Sequence, residues 1–401
     1  MDLRLAQRLQ GLPQPATIAM SAKARALRAA GIDVISLALG EPDFPSPPEA
    51  VEAACQAGLR GDTKYPPVGG QPALKAAVAR KFLDENGLSY APEEILIGNG
   101  GKQLIYNAFA ATIDPGDEVI VPVPYWVSYP IIAQMMGGVT VPVPCRESER
   151  FRLKAEALRA AISPRTRWLV LNFPNNPSGA ILERDDLEAI AAVLRDAPHV
   201  LVMADEIYEH LTFDGRAHVS LASVAPDLRD RILTINGMAK AYAMTGWRVG
   251  FCGGARPLIA AMTSIQSNAT SGVCTLAQAG AVAALSSPVA QRDAMRETYR
   301  RRRDIVVPAL RAMDYVSCAM PDGAFYAFPG IAAALGKQSA AGRSLASDRD
   351  FAEALLEEAH VSVVPGSAFG QPGHLRLSFA ASDEILAEAC TRLERFLSAL
   401  R

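Results

Sequence analysis

Val200-Leu201-Val202-Met203-Ala204-Asp205-Glu206-Ile207-Tyr208 is the stretch on which the fold turns. Five apolar residues without polar alternation read as a strand covered on both faces. A carboxylate at the end of such a strand faces desolvation and needs a partner. A capping or salt-bridging Asp205 would meet that need as well as a catalytic one. Short β-branched runs of the same kind recur at 95–97, 119–123, 139–143, 168–172, 232–235 and 248–252. Helical patterns separate many of them, at 102–112, 154–162 and 183–195. The alternation predicts an α/β fold: a mostly parallel sheet with helices on both faces. In such sheets ligands bind beyond the carboxyl ends of the strands, so the residues just after each run are the informative ones.

From about residue 290 the pattern changes to a long charged helix and then shorter pieces. Residues 46–289 are expected to form a large domain, with 1–45 and 290–401 together forming a smaller α+β domain. Arg301-Arg302-Arg303 reads as a solvated helix face. The chain has 401 residues, half of them hydrophobic, ample for a large core. A net charge of −2 with no polybasic tract points to neither nucleic acid nor an anionic membrane. Residues 257–291 are uncharged, but Thr263, Ser264, Gln266, Ser267, Asn268, Thr270 and Ser271 interrupt them. A membrane helix needs about 20 predominantly apolar residues, so this stretch is expected to be buried in protein. Arg4, Arg8, Lys23, Arg25 and Arg28 leave no apolar core for a signal peptide. The six cysteines lie far apart with no Cys-x-x-Cys pair. No zinc cluster, other metal site or disulfide framework is expected, which fits a reducing cytoplasm.

Three further stretches carry chemistry. Between Thr234 and Trp247 the only charged residue is Lys240. A lone lysine among small and apolar residues has a depressed pKa, as an amine nucleophile requires, although a snorkelling surface lysine fits the same pattern. Eight residues on, Arg248 is placed to clamp a phosphate. Asn172-Phe173-Pro174-Asn175-Asn176-Pro177-Ser178-Gly179 is either a turn or a source of buried active-site amides. Asn99-Gly100-Gly101-Lys102 opens a helix, where glycine amides suit an anion. It is neither a Walker loop, since Gln103 stands where Ser or Thr is needed, nor a dinucleotide fingerprint.

Taken in order, Asn-Pro-x-Gly, Asp-x-x-Tyr, Lys and Arg resemble the class I (fold type I) aminotransferases, which depend on pyridoxal 5′-phosphate. The likeness spans nearly the whole chain. It includes Gly40-Glu41-Pro42-Asp43-Phe44, Pro124-Tyr125-Trp126-Val127-Ser128-Tyr129, Ala243-Met244-Thr245-Gly246-Trp247-Arg248, Gly323-Ala324-Phe325-Tyr326, and Val364-Pro365-Gly366 with Arg376. It is greatest to the bacterial aspartate/prephenate aminotransferase branch.

The resemblance implies fold type I and a ping-pong exchange between an amino acid and a 2-oxo acid. It also implies a role for each residue. Lys240 holds the cofactor as a Schiff base and then moves the substrate proton. Asp205 keeps the pyridine nitrogen protonated. Tyr208 and Asn176 hydrogen-bond the phenolic oxygen, and Trp126 stacks on the ring. Gly100, Gly101, Lys102 and Arg248 surround the phosphate, joined by Tyr65 of a neighbouring subunit in a homodimer with shared active sites. Arg376 grips the substrate α-carboxylate, and Gly40 lies along the substrate. Thr17 and Lys102 meet a distal carboxylate, which makes aspartate a substrate and prephenate a candidate one, with Trp126 or Phe325 bordering the larger ring. Ala239 departs from the pattern, since many relatives carry a phosphate-binding serine there. One neutral hydrogen bond is worth about 1 kcal/mol. A C–S β-lyase on the same fold is the alternative enzyme. A non-catalytic regulator would need a DNA-binding module, and no basic recognition helix is present.

Overall fold

Alternate residues of the apolar runs face opposite layers of the core, which is why the runs carry no polar alternation. In the computed structural model, which describes residues 6–9, 12 and 16–401 apart from the side chains of residues 7 and 16–18, every run becomes a strand. A short strand β1 (Ile35–Ser36) comes first. It is followed by β2 (Ile95–Gly98), β3 (Glu118–Val123), β4 (Val139–Pro144), β5 (Thr166–Asn172), β6 (Leu201–Asp205), β7 (Ile232–Gly237) and β8 (Gly250–Gly253). These last seven form one sheet in the order β2-β8-β7-β6-β5-β3-β4. All its pairings are parallel except those of β8, which runs antiparallel to β2 and to β7. Leu169, Leu171, Val202 and Ala204 pack into the core on one face, and Trp168, Val170 and Met203 into that on the other. Helices such as Gly101–Thr112, Arg184–Arg195 and Arg256–Ala269 cover the faces.

The parallel register aligns the carboxyl ends of the central strands. Asn172 stands opposite Asp205, and Asp205 opposite Ile235. A second hydrophobic cluster gathers around the helices Ala290–Ala312, Asp348–Glu358 and Asp383–Ser398. Beside it, β9 (Tyr326–Ala327), β10 (Val361–Ser362), β11 (Val364–Pro365) and β12 (Leu375–Ser378) form two small sheets. β1 pairs with β10 in parallel, Ile35 opposite Val361 and Ser36 opposite Ser362, which joins the N-terminal segment to the C-terminal part.

Three readings need correction. The arginine run is not a solvated face. Arg302 and Arg303 are buried, and each makes a two-pronged pair, Arg302 with Asp43 (2.8 and 2.8 Å) and Arg303 with Asp214 (2.7 and 2.9 Å). Their partners are remote in sequence, so helical periodicity could not reveal them. The uncharged stretch is not buried throughout. It folds into the helices Arg256–Ala269 and Thr275–Ser286, and residues 267–271, from the end of the first helix into the connection, are exposed. No helix of the described residues is long and apolar enough to cross a membrane. Finally, Arg248 is not in a strand. It takes a left-handed conformation (φ 56°) just before β8.

Candidate active site

Asp205 ends β6 and is buried, so its carboxylate must be met by donors. Tyr129 Oη donates to Oδ2 at 2.6 Å, and the Ile207 amide to Oδ1 at 3.3 Å. Asn172 steadies the backbone by donating to the Asp205 carbonyl at 3.1 Å. Burial pushes the Asp205 carboxyl up to about 6, against the pull of the Tyr129 hydroxyl. A cation beside such a group would keep it ionised further into the acid range.

Tyr129 is a site residue that sequence reasoning missed. It closes the Pro124 to Tyr129 motif, where nothing distinguishes it from Tyr125. It lies on the helix Ser128–Met135, fully buried, with its ring edge against Trp126 at 5.3 Å. Tyr129→Phe should lower kcat/KM by about tenfold, the value of one hydrogen bond to a charged group. Without that donor the Asp205 carboxyl rises further and is neutral over a wider acid range. Cofactor affinity should therefore suffer more at pH 6 than at pH 8. Titrating the apo variant with pyridoxal phosphate at both values checks this, and an equal loss would refute it.

Lys240 follows β7 on a short turn, and its Nζ donates to the Gly40 carbonyl at 2.5 Å. The ring centroids of Tyr208 and Phe325 lie 5.7 and 5.5 Å from that nitrogen. Burial pushes the Lys240 ammonium down to about 8, the Arg376 charge adding to it and Glu41 opposing it. Near neutral pH a usable fraction is free amine.

Gly100 (φ 79°) caps the helix Gly101–Thr112, and the Arg248 guanidinium lies against it. A Cβ on Gly100 would run into the Arg248 guanidinium, and one on Gly250 would lie 2.6 Å from the Gly101 nitrogen. Only glycines allow strand, helix N-terminus and guanidinium to crowd together here. Arg248 donates to the carbonyls of Thr245 (3.0 Å) and Asn99 (3.3 Å). Lys102 Nζ hangs 4.8 Å over the half-buried Trp126 ring, and burial, with Arg248 nearby, pushes its pKa down.

Arg376, on β12, is buried between the rings of Tyr326 (4.7 Å) and Phe369 (5.0 Å). It donates to Asn176 Oδ1 at 3.1 Å and to the Ala38 carbonyl at 2.6 Å, while its Nε is buried without a partner. Tyr208 and Tyr326 share a hydrogen bond at 2.9 Å, and a Cβ on Gly40 would strike the Tyr326 hydroxyl. Tyr326 thus joins the site although sequence reasoning gave it no role. Phe325, expected to border a substrate ring, is instead fully buried behind Tyr208 and Tyr326, with ring centroids 5.6 and 4.7 Å away.

The fold therefore gathers Gly40, Gly100, Gly101, Lys102, Trp126, Asn176, Asp205, Tyr208, Lys240, Arg248 and Arg376 at one end of the sheet. It leaves Tyr65 outside, 92% exposed. The side chain of Thr17 lies outside the described residues. Among those residues, Lys102, Arg248 and Arg376 hydrogen-bond only to neutral groups or to none, and none is paired with a carboxylate. Unpaired cations, a helix N-terminus, one buried carboxyl and one amine of lowered pKa form a donor set that fits a phosphorylated pyridine aldehyde together with a carboxylate substrate.

The family described as aminotransferase class I and II matches residues 32–393. The chain belongs to this family. The aminotransferase is 49% identical over 384 residues to the aspartate/prephenate aminotransferase of Cereibacter sphaeroides, covering 96% of each chain. It is 47% identical to an aspartate aminotransferase of Rhizobium meliloti, covering 97% of this chain and 95% of that one. A crystal structure of the aspartate aminotransferase from Rhizobium meliloti superposes with a TM-score of 0.97 at 45% identity, covering both chains completely. The Thermus thermophilus enzyme with maleate gives 0.92 at 43%, covering 99% of this chain and all of that one. The aminotransferase accordingly has fold type I, depends on pyridoxal phosphate, and uses amino acids and 2-oxo acids as substrates. Membership of this family stands against the non-catalytic regulator and favours transamination over the lyase.

Proposed function

We propose that this aminotransferase takes aspartate and glutamate as amino donors, with oxaloacetate and 2-oxoglutarate as acceptors and prephenate as a further one. The observation that carries the reading is Lys102, a cation whose Nζ stands 4.8 Å over the Trp126 ring with no carboxylate partner among the described residues. Arg376 serves the α-carboxylate, so a second carboxylate needs a second cation. A lysine is a point charge that tolerates different carboxylate positions, which suits both a short and a bulky side chain. The relatives' names include both aspartate and prephenate, and maleate, bound by the Thermus enzyme, is itself a dicarboxylate.

Bound pyridoxal phosphate supplies a conjugated electron sink for the bond broken at the substrate Cα. In our reading, Arg248 and the amides of Gly100 and Gly101 hold its phosphate, Trp126 covers its ring, and Tyr208 and Asn176 meet its phenolic oxygen. Asp205 holds the proton of the ring nitrogen on the far side. Lys240 Nζ would move a proton between the substrate Cα and the cofactor C4′, which are separated by the amino nitrogen. Arg376 orients the substrate, and Gly40, lacking a side chain, leaves room along it. Thr17 is proposed to meet the distal carboxylate with Lys102.

The chain is further proposed to divide into a large domain, 46–289, and a small one, 1–45 with 290–401, closing over the site. Two copies would form a homodimer in the cytoplasm. Tyr65, left exposed by the described residues of its own chain, would reach the phosphate in the partner's site. Light-scattering mass at low concentration should correspond to two chains, and a fully active monomer would refute the shared site.

Lys102→Met tests the substrate reading. With aspartate, kcat/KM should fall at least about tenfold more than with a neutral donor of similar size, as expected for losing a charged hydrogen bond. Equal losses would mean that Lys102 serves the phosphate alone. A panel of donors against 2-oxoglutarate, oxaloacetate and prephenate then ranks the acceptors.

A further inference from the structure

The residue after Asp205 presents a separate problem. Glu206 has a side chain only 5% exposed, and its single ion-pair contact among the described residues is His218 Nε2 at 3.2 Å. No lysine or arginine answers it. Glu209, 3% exposed, points to the same place. Glu206, Glu209 and His218 each offer one ligand atom, and these atoms lie within 4.8 Å of one another. Glu206 Oε2 and His218 Nε2 are buried and 3.2 Å apart without an aligned hydrogen bond, while Glu209 Oε1 is met by Lys81 and, at 3.3 Å, by His210. A neighbouring trio, Glu85, Glu209 and His210, looks similar but already holds a cation. Arg292 Nη1 lies 2.9 Å from Glu85 and 2.9 Å from His210.

Lys81 touches Glu209 from that neighbouring side. It is also held by Asn86 Oδ1 at 2.7 Å and Glu85 Oε2 at 3.5 Å, so it keeps two acceptors if the Glu209 carboxylate turns away. Lys81 answers Glu209, so the second buried carboxylate, Glu206, needs a second positive charge, either a proton on His218, whose pKa, lowered by burial, the two carboxylates raise on balance, or a metal ion in that proton's place. A cavity of about 650 Å³ opens against Glu209, His210 and His218, giving water access to the trio.

We propose that Glu206, Glu209 and His218 bind one divalent cation of the zinc class, with water from the cavity completing the shell. Two carboxylate oxygens and one imidazole nitrogen suit a borderline ion, whereas calcium and magnesium prefer all-oxygen shells. The ion would tie the end of β6 to the segment that carries Tyr208 and returns at His218, apart from the substrate's cations.

The test uses the intact, cofactor-loaded enzyme, freed of metal with a chelator and titrated with Co²⁺ as a coloured probe. The expected result is one Co²⁺ per chain, with the visible absorption of a low-coordinate nitrogen and oxygen site, displaced by Zn²⁺. His218→Ala and the near-isosteric Glu206→Gln should each weaken binding at least about tenfold, and His210→Ala should not. Because the native spectrum needs no variant, a folding defect cannot hide the answer. Absence of saturable binding would mean that the trio is an ion-pair cluster only and would overturn the proposal. So would binding lost in His210→Ala but kept in His218→Ala.

Discussion

Lys240→Ala should abolish turnover, with kcat falling about 10⁴-fold or more, because in the proposed mechanism one nitrogen serves as both nucleophile and general base. The native enzyme treated with borohydride should retain the cofactor irreversibly on Lys240, and the variant should retain none. Trapping should also follow the lowered lysine pKa. With burial pushing the ammonium down to about 8, the free amine grows from pH 7 to pH 9, and the rate at which the apoenzyme captures pyridoxal phosphate should rise and then level across that window. The geometry makes the result specific to this lysine, whose Nζ already lies against the Gly40 carbonyl and among the site's cations. A borohydride-reducible adduct at full occupancy in Lys240→Ala would refute the assignment.

Asp205→Asn should cost at least about a hundredfold in kcat. The substitution preserves shape, and the amide can still accept from Tyr129, but it carries no charge to hold a proton on the ring nitrogen. Losing a buried charge-assisted bond is worth on the order of 3 kcal/mol, which is about a hundredfold in rate. The linkage has a definite sign. In the apoenzyme the Asp205 carboxyl is pushed up to about 6, so burying it destabilises the fold progressively as pH rises from about 4 through 6. Cofactor binding supplies the missing cation and should remove that loss. The gain in Tm on adding pyridoxal phosphate should therefore be larger at pH 7 than at pH 5, and Asp205→Asn should show no such difference. Near-normal turnover in that variant would show that another group protonates the ring.

Much of the site was legible before any coordinates. Asp205, Lys240 and the Gly100-Gly101 turn each follow or precede an apolar run, and strand ends are where an α/β sheet places ligands. Arg376 was legible only through the resemblance, because a single arginine near the C-terminus carries no local signal. Tyr129 and Tyr326 were missed for a related reason. Their hydroxyls matter through Asp205 and Tyr208, partners 76 and 118 residues away. Arg302 and Arg303 were misread because a run of four arginines on a helix, Arg300 to Arg303, looks solvated until Asp43 and Asp214 are brought to it.

By itself the amino-acid sequence determined the strands, the helices between them, and which residues would stand at the strand ends. Those properties come from local periodicity and from short-range backbone preferences. Tertiary structure decided which strand ends are neighbours, since the register of β5, β6 and β7 aligns Asn172, Asp205 and Ile235. It also decided which charges are answered. Arg302 and Arg303 find carboxylates and become structural, whereas Lys102, Arg248 and Arg376 find none among the described residues and remain available to anions. The reason is electrostatic: in a buried site the worth of a charge is set by what lies within a few ångströms, and that neighbourhood is assembled from residues hundreds of positions apart.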